Sequence, residues 1–349
     1  MLPDVYHTIA LTKIRRIRKF NGESNLAVKV GQKVNATEKI ADIFPETKYQ
    51  TINVKKLLNF NNSQDARRAI EIESGSKIKA GEIIAQTSGI FAKTIKAQQD
   101  SEVLLINGSM VLLKQLQSPR SLIAGFESYV SEIMPDYGVI LETNGVLVQC
   151  AWGNQKSDSG LLIHLEQEAD IEITAKMIDV SHRGMVIMGN HCQHSSVFKA
   201  AKDFNVRGLI FSSMNPDLIA PALDMEIPIV VVDSFTPVSM NMRAYDLLKS
   251  NAKREVSLSA IYDPNHNEKA EIIIPLPAEA MPPQESYQFS EGLIVRVNEG
   301  LFQGKAGIIK RIVNNSVTLF NGVRAICAII QFSDDEQASI PLANLDALE

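Results

Sequence analysis

A fifteen-residue pattern occurs twice in the first hundred residues, and it constrains the N-terminal third more than any other feature. Val28–Asp42 and Ile72–Gln86 align at an offset of 44. Gly31, Lys33, Ala36, Glu38, Ile40 and Ala41 recur as Gly75, Lys77, Ala80, Glu82, Ile84 and Ala85, and Val34 is answered by Ile78. Short apolar–polar alternations broken by Gly-led turns predict strand, turn, strand, turn, strand in each copy. One copy is too small to bury both of its faces, so the two are expected to pack together.

These residues resemble the barrel-sandwich hybrid fold of biotinyl and lipoyl carriers. A carrier would present its lysine at a hairpin tip within Met-Lys-Met or Asp-Lys-Ala. The corresponding stretch, Lys93 to Asp100, has Lys96 without those flanks, so the resemblance implies a scaffold and no swinging arm.

From about Ser128 the pattern changes. Asn144-Gly145, between β-rich runs, is a hairpin signal, and Asn154 to Gly160 reads as a loop. Beyond Asp179, strands are expected at 184–188, 207–212, 227–233 and 256–261, and helices at 195–204 and 242–251. Val197, Ala200, Ala201 and Phe204 fall at i, i+3, i+4 and i+7, with Ser195 as N-cap. Continuous apolar strands separated by single helices imply parallel pairing with right-handed crossovers. The layout is similar to the swivelling β/β/α domains, which include the protease-associated domain and the phosphohistidine domain of phosphoenolpyruvate-using enzymes.

Reactive side chains crowd together only at Gly189–Ser196. His191, Cys192 and His194 are metal ligands by type, but their spacing is too tight for a zinc knuckle. His194-Ser-Ser-Val-Phe-Lys-Ala-Ala201 resembles the phosphohistidine segment, where a helix N-terminus would hold the phosphate. Gln193 stands where that family has Thr or Ser, and no nucleotide-grasp domain or pyruvate-binding barrel accompanies it. Nucleotide-binding and hydrolase motifs do not occur. His164, His182 and His266 have no recognisable partners and read as structural.

Pro275, Pro277, Pro282 and Pro283 make a stiff, polar connector. Beyond it, Gly292-Leu-Ile-Val-Arg-Val-Asn-Glu-Gly-Leu-Phe-Gln-Gly-Lys-Ala-Gly-Ile-Ile-Lys-Arg-Ile312 resembles the KOW motif of NusG-type transcription factors and several ribosomal proteins. The resemblance implies a five-stranded SH3-like barrel that binds RNA or protein surfaces. Val295 and Val297 alternate with Arg296, predicting one buried and one wet face. Asn321-Gly322 marks a hairpin, and Asp334 to Glu336 another turn. Arg296, Lys305, Lys310, Arg311 and Arg324 are the candidates for phosphate contact, with Phe302 as a stacking aromatic. Residues 290–349 hold five bases against seven acids, fewer bases than a dedicated RNA binder carries.

A second basic candidate is the run Lys13, Arg15, Arg16, Arg18 and Lys19, within sixty residues holding eleven Lys/Arg against five Asp/Glu. It could engage phosphates or an acidic partner; the alternative is a solvated strand face with Ile14 and Ile17 turned inward. Net charge over 349 residues is −5, which argues against bulk attraction to nucleic acid. Three widely spaced cysteines give no disulfide framework. The N-terminus lacks a signal-peptide pattern, and no apolar run approaches the roughly 18–20 residues of a membrane span, so a cytoplasmic location is expected.

The sequence thus predicts a multidomain, β-rich chain with one α/β domain. The expected divisions are a barrel-sandwich hybrid-like domain (1–118), a swivelling-type α/β domain (119–277), a linker (278–290) and the KOW barrel (291–349). The function expected is non-catalytic: docking through that barrel on nucleic acid or a transcription or translation complex, without a cofactor. Alternatives are a phosphoryl carrier or enzyme subunit using His194, and a structural homo-oligomer.

Overall fold

The computed structural model describes every residue except 1, 21–23, 45–46, 90–91, 117–118, 166–171, 264–267, 285, 320 and 334–335. The expectations for His266 and for the turn at Asp334–Asp335 lie outside the described residues. The chain is strand-rich, with 48% strand and 14% helix distributed over several sheets.

An eleven-stranded sheet forms the centre. Its parallel part is Ser157–His164, Met185–Cys192, Gly208–Met214 and Ile229–Ser234, adjacent in that order. The apolar runs of these strands follow from burial on both faces. Val186 and Met188 point into one core, with Ala244 and Leu248 of helix Met242–Ser250. Ile187 points into the other, with Val197 and Ala201 of helix Ser196–Asp203. A strand places successive side chains on opposite faces, so one sheet serves both cores.

The parallel expectation fails for Glu255–Ser259, which runs antiparallel to Ser157–His164 and leads into Ala270–Pro275. Asn154 to Gly160 is not all loop, since a strand begins at Ser157. Asn144-Gly145 is not a turn either. It lies inside the continuous strand Gly138–Cys150, bonded to Thr8–Lys19 on one side and to Ala270–Pro275 on the other. A Cβ on Gly145 would lie 2.1 Å from the Ile274 carbonyl oxygen, so glycine is required there by close approach of a neighbouring strand.

The repeat is structural. Gly31 and Gly75 have φ +83° and +86°. The Gly31 amide donates to the Val130 carbonyl and the Gly75 amide to that of Val103. Ala124 donates to Glu38 and Ala97 to Glu82, both at 2.9 Å. Tyr129 pairs with Lys33 as Glu102 pairs with Lys77. Both partner strands shift register at matching points, Val130/Glu132 and Val103/Leu105. Thr8–Lys19 lies on Gly138–Cys150 as Tyr49–Asn53 lies on Met110–Gln115.

The second copy is nested inside the first. Strands Lys39–Ile43 and Arg120–Ile123 pair with Ile43 opposite Arg120, and the second copy occupies the chain between them. The two do not pack together as expected. Val34 and Ile40 join a core with Phe126, Leu141 and Ile273, whereas Ile78 and Ile84 join a separate one with Val103 and Leu113. Each copy recruits its own flanking strands to cover its open face. A boundary at residue 118 is also not kept, because Thr8–Lys19 belongs to the central sheet.

The C-terminal sheet contains Ile294–Val297, Ala306–Thr318, Arg324–Ser333, Glu336–Pro341 and Leu345–Leu348, as the alternating pattern predicts, plus Val5–Tyr6 from the N-terminus, parallel to Leu345–Leu348. The connector is pinned to the first long strand: the Met281 carbonyl accepts from the Lys13 amide at 2.9 Å and the Thr12 hydroxyl at 3.0 Å.

Candidate binding surface

The N-terminal basic run is largely neutralised. Arg15 lies 3.0 Å from Glu132 and 3.2 Å from Glu142, Lys13 lies 3.8 Å from Glu142, and Lys19 lies 3.5 Å from Glu268. Arg16 grips Glu271 through Nε at 2.9 Å to both carboxylate oxygens. Arg18 donates to the Ala124 carbonyl at 2.7 Å and stacks over the Phe126 ring. The bases do form a paired strand face, but Ile14 and Ile17 cannot both turn inward. Three residues apart on a strand, they point to opposite faces: Ile14 is buried and Ile17 is 41% exposed.

Arg296 is not a phosphate contact. It is 3% exposed, because its strand is covered on both sides. Val295 and Val297 enter the C-terminal core, while the guanidinium turns toward the central sheet. It donates to the Val232 carbonyl at 2.7 Å and to Asp346 at 3.1 Å, approaches Asp233 to 4.0 Å and lies over the Tyr6 ring. Asp233 accepts from the backbone and side-chain amides of Asn241. Burial pushes the Asp233 carboxyl above its usual range and the Tyr6 hydroxyl up to about 12. Nearby, Lys269 lies 4.2 Å from the Tyr6 ring centroid and donates to the Val5 carbonyl. His7 and Glu349 pair at 2.8 Å.

This junction covers the C-terminal end of the parallel strand Ile229–Ser234, on the side of the sheet where open α/β sheets ordinarily take their ligands. The Thr236 hydroxyl donates to the Gln303 carbonyl at 2.9 Å. The C-terminal sheet comes so close here that a Cβ on Gly304 would lie 2.4 Å from the Ser234 hydroxyl. Asp233, Asp346, Tyr6 and Lys269 were not among the sequence candidates. The one available signal was an aspartate closing the apolar run before Ser234.

The Gly189–Ser196 loop does not gather its reactive groups. The His191 ring is engaged at both nitrogens, by Ser213 and by Gln193, each at 2.9 Å. Cys192 is fully buried among apolar neighbours, and burial pushes its thiol up to about 12. The His194 side chain is 70% exposed, with Glu172 4.0 Å from its Nε2, a carboxylate that would repel an added phosphate. No group of three or more metal-ligating side chains occurs among the described residues.

Open surface remains on the ribbon of Ala306–Thr318 and Arg324–Ser333. The strands are antiparallel, and the chain reverses between Thr318 and Arg324 around Asn321-Gly322. Lys310, Arg311 and Arg324 are exposed, and none forms an ion pair with a described residue. Along the same two strands and their turn, Ile308, Val317, Val323 and Ile326 are each 37–55% exposed; Ile308, Arg311 and Val317 lie on one face of the ribbon and Arg324 and Ile326 on the other. Lys305 is held by Glu336 at 2.8 Å. Phe302 is half-buried and stacked on Phe332, with centroids 5.1 Å apart and planes 12° from parallel, so its ring is already taken.

No protein-family model matches this chain, and no curated protein matches it. No helix among the described residues is long and apolar enough to cross a membrane.

Proposed function

We propose that the chain is a binding protein that docks through its C-terminal sheet, an SH3-like barrel of the KOW type, on an acidic, apolar protein surface within a transcription or translation complex. In this reading the nested copies are barrel-sandwich hybrid scaffolds and the parallel sheet is a swivelling-type domain. The observation that carries it is the ribbon, whose two exposed faces carry Lys310, Arg311 and Arg324, none ion-paired with a described residue, together with exposed Ile308, Val317, Val323 and Ile326. Exposed aliphatic groups gain by burial against a protein, while cations at the rim select an acidic partner and speed encounter. RNA is the less favoured partner, because base stacking needs open aromatic faces and Phe302 already stacks on Phe332.

Affinity capture from native extract of the source cells tests this, comparing the wild-type chain with K310E/R311E/R324E and with V323D. The expected result is a discrete, nuclease-resistant set of proteins lost in both variants. Capture that disappears with nuclease would reassign the ribbon to nucleic acid, and capture unchanged in the variants would remove the ribbon from the reading.

A further inference from the structure

We propose that the cleft beneath the first long strand binds a small molecule bearing an oxyanion, a carboxylate or a phosphate group, and that Arg18 receives it. The cleft has a volume of about 640 Å³, within the range of small-molecule sites. It lies between strand Thr8–Lys19, the segment from Leu2 to His7 and the start of strand Ala270–Pro275.

Arg18 differs from the four other bases of its strand. Each of those has a carboxylate within 4.0 Å, whereas Arg18 has none among the described residues. Its Nε donates to the Ala124 carbonyl at 2.7 Å, its guanidinium lies 5.2 Å from the Phe126 ring centroid, and it packs so tightly on Gly125 that a Cβ there would meet Nη2 at 2.3 Å. These contacts fix the planar group in a half-buried position and leave both Nη atoms without a hydrogen-bond partner among the described residues. The opposing charge Arg18 feels is that of Glu271, which Arg16 already holds, and a guanidinium fixed in this way offers two parallel donors to one oxyanion.

The surroundings fit the same class of ligand. Lys269, also on the cleft wall, has no carboxylate within 4.0 Å among the described residues and donates only to the Val5 carbonyl. Lys19 is held loosely, 3.5 Å from Glu268, and Arg16 is already matched by Glu271. Leu147 and Ile261 supply apolar wall for the rest of the molecule. The site is independent of the ribbon and does not rest on the function proposed above.

Calorimetric titration of the full chain tests it, with inorganic phosphate in one arm and succinate in the other, at fixed ionic strength against a sodium chloride control. At least one anion is expected to bind saturably where chloride does not, and which one does so assigns the headgroup. R18Q should weaken that binding about tenfold to a hundredfold, as loss of charge-assisted hydrogen bonds does, and K202Q, on an exposed helix face, should leave it unchanged. R18K keeps the charge without the two-pronged geometry and should weaken binding as well; it decides the matter if R18Q fails to fold. Absence of saturable binding by either anion, equal binding of chloride, or wild-type affinity in folded R18Q or R18K would overturn the proposal.

Discussion

Truncating Arg296 would leave Asp233 and Asp346 facing each other's charge in a space with almost no water. Both aspartates are under 6% exposed, and among the described residues this guanidinium is the only cation within 4.0 Å of them. Removing one partner of a buried ionic group typically costs about 3–5 kcal/mol, and replacing the whole group by neutral residues costs far less. R296M is therefore expected to lower stability by about 3–5 kcal/mol in denaturant melts, with R296M/D233N/D346N recovering most of the loss. A second prediction concerns protons. Burial holds the His7 ring below the ordinary histidine value despite its pairing with Glu349, and burial likewise lowers His164. The unfolded chain, with histidines near 6.5, then binds protons first as the pH falls, so stability present at pH 7 is lost as the pH drops below about 6.5. The melting temperature should fall between pH 7 and pH 5.5, and H7Q/H164Q should show a smaller fall. Local pattern does not foretell the burial of Arg296. Its place between Val295 and Val297 reads as a wet face, and only the arrival of a second sheet makes that face interior.

At the level of elements, local pattern was a good guide wherever a single segment decides its own conformation. Helix Ser196–Asp203 follows from the spacing of Val197, Ala200 and Ala201, and the parallel strands follow from their unbroken apolar runs. Pattern misled where a neighbour decides. Asn144-Gly145 has the chemistry of a tight turn, yet two flanking strands hold it extended within Gly138–Cys150. Whether the Lys13–Lys19 run is a phosphate stripe or a solvated strand face could not be read locally, because Glu132, Glu142, Glu268 and Glu271, which neutralise it, lie more than a hundred residues away. The exposed ribbon was partly legible: Lys310, Arg311 and Arg324 were candidates, whereas the exposed Val323 and Ile326 look like any strand residues until their surroundings are known. The glycine at 145 gives the element-scale test. G145A forces a methyl group against the Ile274 carbonyl and should cost about 1–3 kcal/mol, the usual range for overpacking, measured by thermal or chemical unfolding.

Across the whole molecule, the offset of 44 exposed the duplication but not its nesting. The second halves of the two copies match at a different offset, 27, where Ala97, Ser101, Val103 and Ile106 recur as Ala124, Ser128, Val130 and Ile133, with matching hydrogen bonds and register shifts. Nesting has a physical consequence. The inner copy's core is built entirely from residues between Ile52 and Leu113, and the outer copy is already joined at Ile43 and Arg120, a pair that a two-residue turn can bridge. Replacing 44–119 by Asn-Gly is expected to leave the remainder folded, with its own cooperative melt; an unfolded product would show that the outer copy depends on the inner one. The proposed docking surface is the ribbon near the other end of the chain. Amide hydrogen exchange of the full chain, alone and in its captured complex, tests that most directly. Protection should rise across 306–318 and 324–333, while the central sheet changes little. If those amides exchange at the same rate in the complex and protection gathers elsewhere, the docking surface is not the ribbon.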